Sequence, residues 1–383
     1  MKKKIVTLLC LVTVLVFSSC AFAETLGFGM VNASDVAIRK DARGQKITRL
    51  QKGTSVWIMG SKSDGQGELW YHVRAEDGAA TGHPVRNGWI KAEFVDADSR
   101  LWNNVRTVKT ASFGMIVLKN DGTVLCAGDW TLCEPQGRYA GLRDIRQAGF
   151  CTVGSAIFAV DGQGRLYRDG VQAANRVRLA GNHDLICITE DNRLQTTYEG
   201  NTRITWVYPQ SSGEVQLQHV TAMAECESRN LFLTDDGKVY CAKVDDLALD
   251  YPEPDWSTWT DAESIDANLC SDGTYVLSGH TLRKYVPAFA AVRRDGTVLA
   301  APESLAALTA GWRDMRKVAI GSDWVLGLKR DGTVVAAGID GRTPPDVSGW
   351  TDITDISNGH TFCVGVKQNG ALVFAGDYRF SAD

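Results

Sequence analysis

The sequence predicts an all-β fold, a small β-barrel followed by a β-propeller of about seven blades. Three observations support this prediction. Short apolar strands alternate with turns and are not interrupted by a long amphipathic helix, a phrase built on Gly-Trp-x-Asp recurs, and Asp-Gly or Asn-Gly turns return roughly every forty residues. The 38 glycines among 383 residues suit such a turn-rich chain.

The N-terminal segment 1–23 has the pattern of a signal peptide. Residues 2–4 are lysines, and residues 5–17 form an apolar run that is too short to span a bilayer. Ala-Phe-Ala at 21–23 then fits a signal-peptidase site. The alternative is a lipoprotein, since Phe-Ser-Ser-Cys resembles a lipobox that would anchor the chain at Cys20. No later apolar stretch reaches membrane-span length, so we expect a secreted or cell-envelope protein.

Residues 28–97 predict a small barrel of about five short strands, separated by turns rich in Gly, Ser and Asp. An Ile-Arg strand is followed by a Lys-Gly-Thr turn, a strand that contains Trp and Val, and a closing Gly-Trp-Ile strand. This order resembles bacterial Src-homology-3-like domains. The resemblance implies targeting to the cell wall and, in some members of that family, peptidoglycan binding.

The aromatic residues of this segment have two interpretations, barrel core and ligand contact. A small domain needs most of its aromatic side chains to bury enough surface. We expect Trp89, on the closing strand, to lie in the core. Tyr71 is adjacent to Trp70 and therefore points to the opposite face of its strand, which makes it the better candidate for a surface contact.

Residues 101–383 repeat themselves. Gly-Trp-Arg-Asp-Met starts at 311 and Gly-Trp-Thr-Asp-Ile at 349. After each copy come a strand, a glycine-containing corner, a second strand and a short turn. Asp-Gly and Asn-Gly suit a two-residue type I′ hairpin, in which both central residues have φ > 0. We therefore predict equivalent hairpins at Gly122, Gly237, Gly296, Gly332 and Gly370.

The repeated phrase, followed by a strand with a Lys-x-Asp-Gly-Thr-Val pattern, resembles repeats of the regulator of chromosome condensation family, especially its bacterial members. The segments 119–128 (KNDGTVLCAG) and 329–338 (KRDGTVVAAG) carry it most clearly. The resemblance implies a β-propeller over residues 101–383. It implies no particular activity, because one propeller scaffold hosts many unrelated partners. The nucleotide exchange of the founding member does not carry over to an exported chain without matching residues.

Eight cysteines follow the signal segment, and their spacing shows neither a disulfide framework nor a zinc motif. Most of them lie within apolar strand patterns, which favours buried thiols. The alternative is one local disulfide, such as Cys226 with Cys241, which export would permit. The eight are Cys126, Cys133, Cys151, Cys187, Cys226, Cys241, Cys270 and Cys363.

Sequence signatures of catalysis are absent, including the G-x-S-x-G, H-E-x-x-H and Walker motifs. The histidines show no ligand spacing, and His183 and His360 follow equivalent glycines, so we expect them to stabilise corners of the repeat. The acidic turn residues occur singly, unlike those of a calcium loop. We expect Asp314 and Asp352 to bind backbone amides at turns. No metal or cofactor is expected.

The net charge of −4, without any basic block, argues against nucleic-acid binding. We therefore expect a non-catalytic protein whose barrel targets the cell wall and whose propeller binds a protein or a glycan, including peptidoglycan. The alternatives are a wall-glycan-acting enzyme with channel acids such as Asp184 or Asp323, and a secreted enzyme inhibitor, because a bacterial propeller of this repeat family inhibits β-lactamase. The candidate binding aromatics, in connecting segments or on the barrel, are Tyr71, Trp102, Trp130, Trp206, Tyr208, Tyr251, Trp256 and Tyr378.

Overall fold

The structure is a computed structural model, and the expected signal segment, with Cys20, lies outside the residues it describes. Those residues are 27–75, 86–97, 103–111, 114–128, 142–150, 157–168, 170–181, 186–196, 204–208, 217, 219–226, 229–244, 252–277 and 280–376.

The first unit is an antiparallel sheet of seven strands. Its core contains Ile38, Val73 and Ile90, which lie on three different strands. Each points to the inner face of the sheet, because neighbouring side chains of a strand point to opposite faces. The sheet has more strands than predicted, since its two terminal segments pair with each other. In chain order the strands are β1 Gly27–Val31, β2 Val36–Arg39, β3 Lys46–Leu50, β4 Ser55–Ser63, β5 Leu69–Ala75, β6 Arg86–Lys91 and β7 Val95–Ala97.

Seven smaller antiparallel sheets of three or four strands follow among the described residues, each built from consecutive strands. A short helix, α1 Glu303–Thr309, follows β24. The sheets are β8 Val105–Ala111, β9 Gly114–Lys119 and β10 Val124–Gly128; β11 Ile145–Phe150, β12 Ile157–Asp161, β13 Leu166–Arg168 and β14 Val171–Ala174; β15 Val177–Ala180, β16 Ile186–Thr189 and β17 Leu194–Thr196; β18 Ile204–Tyr208, β19 Val220–Cys226, β20 Arg229–Thr234 and β21 Val239–Val244; β22 Ala262–Leu277, β23 His280–Arg293 and β24 Val298–Ala301; β25 Met315–Ile320, β26 Trp324–Lys329 and β27 Val334–Gly338; β28 Ile353–Asn358, β29 Phe362–Lys367 and β30 Leu372–Gly376.

The last of the seven small sheets packs against the first of them and closes a ring. The Val105 N–H donates to the Gly370 carbonyl at 3.1 Å, and the Thr110 N–H donates to Ser357 Oγ at 2.9 Å. One apolar cluster joins residues of β8 and β9 to Phe362 and its neighbours on β29. Small antiparallel sheets closed into a ring are the architecture of a β-propeller, and the repeat correctly predicted it.

The hairpins of the ring differ from the predicted turn type. The Gly332 N–H donates to the Lys329 carbonyl at 3.1 Å, and the Lys329 N–H donates to the Thr333 carbonyl at 2.9 Å. Gly332 has a φ of 83°, whereas Asp331 is not among the residues with positive φ. The loop is therefore a type I turn followed by one left-handed residue, and the two-residue type I′ prediction is wrong. The same hydrogen bonds recur at Gly122, Gly164, Asn192, Gly237, Gly296 and Gly370.

The left-handed glycine of six of these hairpins also connects its sheet to the next one. The Ile353 N–H donates to the Gly332 carbonyl at 3.0 Å. A Cβ on Gly332 would lie only 3.2 Å from the Ile353 nitrogen. The equivalent bonds, from the next sheet's N–H to the glycine carbonyl, join Ile145 to Gly122, Val177 to Gly164, Ala262 to Gly237 and Met315 to Gly296.

Asp314 and Asp352 act in a way that differs from the prediction. Both have left-handed backbone, with φ of 60° and 58°, which Asp tolerates better than most residues do. The Asp314 carbonyl accepts from the Arg330 N–H at 2.8 Å and the Asp352 carbonyl accepts from the Gln368 N–H at 2.7 Å, each within its own sheet. The two residues therefore contribute backbone carbonyl groups to the hydrogen bonding, in place of the expected side-chain bonds to backbone amides.

Arginines at the second position of several first strands reinforce the same junctions. Arg316 Nη2 donates to the Thr354 carbonyl at 2.5 Å, and Arg106 Nη2 donates to the Arg146 carbonyl at 2.8 Å. In the third sheet, Arg178 Nη1 donates to the Val220 carbonyl. Each guanidinium bonds backbone oxygens of the following sheet, so it bridges two neighbouring sheets.

The described cysteines are mostly buried thiols, as the apolar patterns predicted. Burial raises the pKa of the Cys187 thiol to about 11 and that of Cys363 to about 12. Cys241 carries a free thiol, so the alternative disulfide between Cys226 and Cys241 is not formed. Cys270 is also buried, and Cys126 lies on β10. Cys133 and Cys151 lie outside the described residues.

We expect Gly332→Val to lower the free energy of unfolding by at least about 1 kcal/mol, because a β-branched residue is strained at a φ of 83° and its Cβ would crowd Ile353. Urea denaturation monitored by circular dichroism measures the change. The matched control is Gly349→Val, since a Cβ there meets no atom within 4 Å. Equal stability of both variants would contradict the proposed constraint.

Candidate functional site

The centre of the ring contains a cavity of about 170 Å³. Its walls come mainly from one edge strand of each sheet, which is the first strand in chain order except in the sheet that begins with β18. Five of these edge strands contribute charged or polar side chains. These include Lys109 on β8, Glu225 on β19, Asp266 on β22, Lys317 on β25 and Ser357 on β28.

One wall of the cavity contains a buried ion pair. The ammonium group of Lys317 contacts Asp355 Oδ1, and the Thr107 hydroxyl donates to Asp355 Oδ2 at 2.5 Å. Burial by itself would raise the pKa of Asp355, but the charge and hydrogen bond of Lys317 outweigh it and hold that pKa below its ordinary value. Asp355 is therefore ionised and fixes the Lys317 side chain across two neighbouring sheets.

A second carboxyl group faces the cavity from β22. Asp266 Oδ2 accepts a hydrogen bond from the Ile320 N–H at 2.7 Å. Burial raises the pKa of Asp266, although the positive charge of Lys109 acts in the opposite direction. The charge of Lys317 and then burial lower the pKa of Lys109. The Lys109 side chain is exposed to solvent.

The cavity lies at the ends of the first strands, where the chain turns into the second strand of each sheet. Two of these corners are described, and they bring Ser322 and His360 to the cavity wall. Beside His360, Asn358 is 5% exposed, and its Nδ2 donates to the Trp324 carbonyl at 2.8 Å. His360, which was predicted to stabilise a corner, contributes to the cavity wall. His183 lies outside the described residues.

A long hairpin stands next to this cavity. β22 and β23 extend past their third strand, and residues 271–277 and 280–286 form an arm that departs from the repeat. The Ser271 N–H donates to the Ser322 carbonyl at 2.9 Å, and Arg283 pairs with Asp323 at 2.8 Å. Because Ser322 lines the cavity, these bonds fix the arm at its rim.

The predicted aromatic anchors have several different locations. Trp256 is 4% exposed and packs edge-on against Phe289, so the structure assigns it to the core instead of a binding surface. Tyr208 is half-buried, with its ring 6.4 Å from that of Tyr240. Trp206 lies on β18, but its side chain is outside the described part of the chain. The same holds for the whole of Trp102, Trp130, Tyr251 and Tyr378.

The channel acids suggested by the sequence also need correction. Asp323 pairs with Arg283 beside the arm, and Asp184 lies outside the described residues. The carboxyl groups at the cavity are instead those of Glu225 and Asp266, with Asp355 behind Lys317. A signal for them exists in the sequence: charged residues interrupt the otherwise apolar first strand of several repeats.

The first unit carries a separate groove of about 440 Å³, lined by Tyr71, Leu69, Lys91 and the carboxylates of Glu68 and Glu93. Leu69 is 44% exposed, which leaves an apolar side chain beside the tyrosine ring. The groove thus combines an aromatic ring with both signs of charge. Tyr71, predicted as a surface contact, lies in its wall.

Of the two tryptophans near Tyr71, one is buried and the other is partly exposed. Trp70 is 2% exposed, and its Nε1 donates to Asp64 Oδ2 at 2.9 Å. Trp89 is only half-buried, with the Lys62 ammonium 4.0 Å from its ring centroid. Trp89 lies opposite His72 in the strand register, on the face that points away from the apolar cluster. The prediction that Trp89 is a core residue is therefore wrong.

Within the described residues, no group of three or more His, Cys, Asp or Glu side chains is arranged to hold a metal ion. In the same part of the chain, no helix is long and apolar enough to cross a membrane.

No family model and no curated protein matches the chain. Similar solved structures include the CRINKLY WD40 ectodomain of the Arabidopsis thaliana receptor kinase ACR4, with 13% identity, 72% of this chain and 96% of that chain covered, and a TM-score of 0.42. Yeast RCC1 (Prp20) bound to Kap60 is 12% identical, with 71% of this chain and 70% of that chain covered and a TM-score of 0.35. BamB from Moraxella catarrhalis is 13% identical, with 71% of this chain and 96% of that chain covered and a TM-score of 0.32. These TM-scores are low, and the propeller architecture rests on the ring closure of this chain itself.

We expect Asp355→Asn to lower the free energy of unfolding at neutral pH by roughly 3 kcal/mol, because Lys317 loses its buried partner. Folding lowers the pKa of Asp355, so its stabilising contribution is complete above about pH 4 and is lost as pH falls through the folded pKa. The difference from wild type should therefore shrink in acid. Urea denaturation at several pH values measures it.

The matched control is Asp352→Asn. Its carboxylate is exposed, and Asn also adopts the left-handed backbone found there. This control should stay close to wild type throughout the pH range. A stability difference for Asp355→Asn that is the same in acid and at neutral pH would contradict the assigned role of the ion pair.

Proposed function

We propose that this chain is an exported binding protein whose propeller presents the cavity face to a protein partner. The observation that supports this proposal most directly is the arm. It is an extension that the ring does not need for closure, and it is fixed at the cavity rim through Ser322 and Asp323. Rigid surfaces bind at a lower entropic cost than mobile ones, because less conformational freedom is lost on association.

The finer architecture belongs to the same proposal. The seven small sheets correspond to seven blades of a propeller of the regulator of chromosome condensation type, preceded by a Src-homology-3-like barrel. The recurring Gly-Trp-x-Asp phrase and the hairpin glycines support the first assignment. The order of strands in residues 28–97 supports the second. Export rests on the sequence pattern of residues 1–23.

We further propose that the first unit targets the protein to the cell wall through the groove beside Tyr71. A tyrosine ring next to Leu69 can stack on the apolar face of a sugar, while Lys91 and the nearby carboxylates can bond to its polar groups. Peptidoglycan supplies sugars, amides and carboxylates together. The groove therefore suits a wall glycan better than a purely apolar ligand.

A wall-glycan-acting enzyme is the second candidate. Glu225 and Asp266 line one cavity, and glycoside hydrolysis uses a pair of carboxyl groups that flank the scissile bond. The raised pKa of Asp266 suits a proton donor. Release of reducing ends from purified wall glycan by the mature protein, abolished by Asp266→Asn, would favour this candidate over the binding protein.

The protein-binding proposal predicts that Leu282→Asp weakens capture of the partner from an envelope extract at least fivefold, because it places a charge on the 39% exposed apolar residue of the arm. Quantitative pull-down with the full mature chain measures the captured amount. The matched control is Val171→Asp on β14, which is 71% exposed and outside the arm. If both variants capture the same amount as wild type, the arm is not the contact surface.

The inhibitor alternative is tested on the captured partner. If that partner is a secreted enzyme, its activity is measured with and without this protein.

The wall-targeting proposal predicts that Tyr71→Ala weakens sedimentation of the full mature chain with purified sacculi by about 1–2 kcal/mol. The variant should stay folded, since Tyr71 is only partly buried at the edge of the apolar cluster. The control is Leu282→Asp, which changes the arm and leaves the groove intact. Sedimentation of Tyr71→Ala at the wild-type level would exclude the groove as the wall-binding site.

A further inference from the structure

One lysine of the central cavity is not used by the hydrogen bonding of the ring. Lys109 lies on β8 and lines the cavity, and its side chain is exposed to solvent. Among the residues that the structure describes, no hydrogen bond or ion pair joins its ammonium group to another side chain. The amine is therefore accessible to a small molecule inside the cavity.

A second lysine holds a fixed positive charge in the same wall. Lys317 contacts Asp355 Oδ1, and Asp355 Oδ2 accepts a hydrogen bond from the Thr107 hydroxyl at 2.5 Å. Thr107 and Lys109 are two positions apart on β8, so their side chains leave the same face of that strand. The face of β8 that carries Lys109 thus contacts the carboxylate that holds Lys317, and both lysines line one cavity.

Two ammonium groups in one partly enclosed space favour the loss of a proton from one of them. The charge of Lys317 and then burial lower the pKa of Lys109, and the opposite effects of Asp266 and Asp355 do not outweigh them. Lys317 has a carboxylate partner, whereas Lys109 has none. A lysine beside another cation is one of the arrangements that make an amine nucleophilic at neutral pH. The other titratable side chains described around this space are Asp266 on β22, Glu225 on β19 and His360 at a corner.

The charges and the volume of the cavity restrict the type of molecule that this amine would meet. A simple anion would face the negative charges near Lys109 as well as its positive one, which costs binding energy in a partly enclosed site. A neutral molecule avoids this cost. At about 15 Å³ for each water-sized group, a cavity of about 170 Å³ accommodates roughly ten such groups. A small uncharged electrophile therefore fits better than an anion or an oligosaccharide.

We propose that Lys109 captures a small uncharged aldehyde or ketone in the cavity as an imine. The lone pair of Nζ forms a bond to the carbonyl carbon, the carbonyl oxygen gains a proton, and the nitrogen loses one. The C–O bond then breaks and water leaves, while the nitrogen loses its second proton and forms the double bond to carbon. The amine and the carbonyl compound thus give an imine and one water, without an oxidant or a reductant.

Asp266 is the group of the wall that suits the proton transfers of this reaction. Burial raises the pKa of Asp266, which favours the protonated carboxyl group that the leaving oxygen needs as a proton donor. Its carboxylate form then accepts the proton that the nitrogen loses. Asp266 lines the same cavity as Lys109, and the two groups interact electrostatically.

The experiment treats the full mature chain with glycolaldehyde and sodium cyanoborohydride, which reduces an imine to a stable secondary amine. Mass spectrometry of proteolytic peptides then gives the rate of labelling at each lysine. The internal comparison is Lys119 on β9, whose Nζ donates to Asn103 Oδ1 at 3.1 Å. At neutral pH we expect Lys109 to be labelled at least about fivefold faster than Lys119, because a larger fraction of it is neutral. Its rate should level off at a pH below the ordinary lysine pKa of about 10.4.

Two variants assign the reaction to this pair of lysines. Lys109→Arg keeps a positive charge without a primary amine, and it should abolish the fast labelling. Lys317→Met removes the neighbouring charge, and it should slow the labelling of Lys109 at neutral pH at least about fivefold. Because Lys317→Met leaves Asp355 without its partner, the double variant Lys317→Met with Asp355→Asn repeats this test with both charges removed. The matched control, Lys119→Arg, should leave the rate at Lys109 unchanged.

Three results would overturn the proposal. The first is labelling of Lys109 no faster than that of Lys119. The second is fast labelling that persists in folded Lys109→Arg, and the third is a wild-type rate at Lys109 in the folded double variant. Circular dichroism and thermal melting verify the folding of each variant. Partner capture by the arm, sedimentation with sacculi and release of reducing ends do not affect these readouts, so the failure of this proposal is distinguishable from the failure of the others.

Discussion

The left-handed residue at the tip of each hairpin is the constraint on which the ring depends. Its positive φ completes the turn within one sheet, and where it is glycine its carbonyl oxygen accepts the first N–H of the next sheet. The same bond, from Val105 to Gly370, joins the last sheet to the first. Because one residue serves both the turn and the junction, the geometry within a sheet also sets the spacing between sheets.

The third of the small sheets shows how the junction adapts when glycine is missing. Asn192 takes the left-handed position there, with a φ of 62°. Asn tolerates this region because its short side chain makes local hydrogen bonds. Arg178 donates both to Asn192 Oδ1 at 2.9 Å and to the Val220 carbonyl of the next sheet. The guanidinium thus supplies a link between two sheets at the position where the repeat is degenerate.

Ring closure is also what creates the cavity. Lys109 and Lys317 lie more than two hundred residues apart in sequence, yet both project from first strands toward the same axis. The charge of Lys317 lowers the pKa of Lys109, and Lys317 holds Asp355 ionised. A closed ring of hydrogen-bonded sheets resists the repulsion between the two ammonium groups, so it can maintain a charged site that a flexible loop could not.

Local sequence patterns predicted much of the fold. Alternating apolar residues, Asp-Gly turns and the Gly-Trp-x-Asp phrase are properties of neighbouring residues, so the strands, the hairpins and the propeller followed from the sequence alone. The turn type did not, because Asp-Gly occurs in both kinds of hairpin and the residue count of the loop depends on which strand positions pair. The burial of Trp70 and Trp256 and the partial exposure of Trp89 depend on which face of each strand is covered. The cavity is a tertiary property altogether: Lys109, Glu225 and Asp266 come from three different sheets, and only closure of the ring brings their charges into one space.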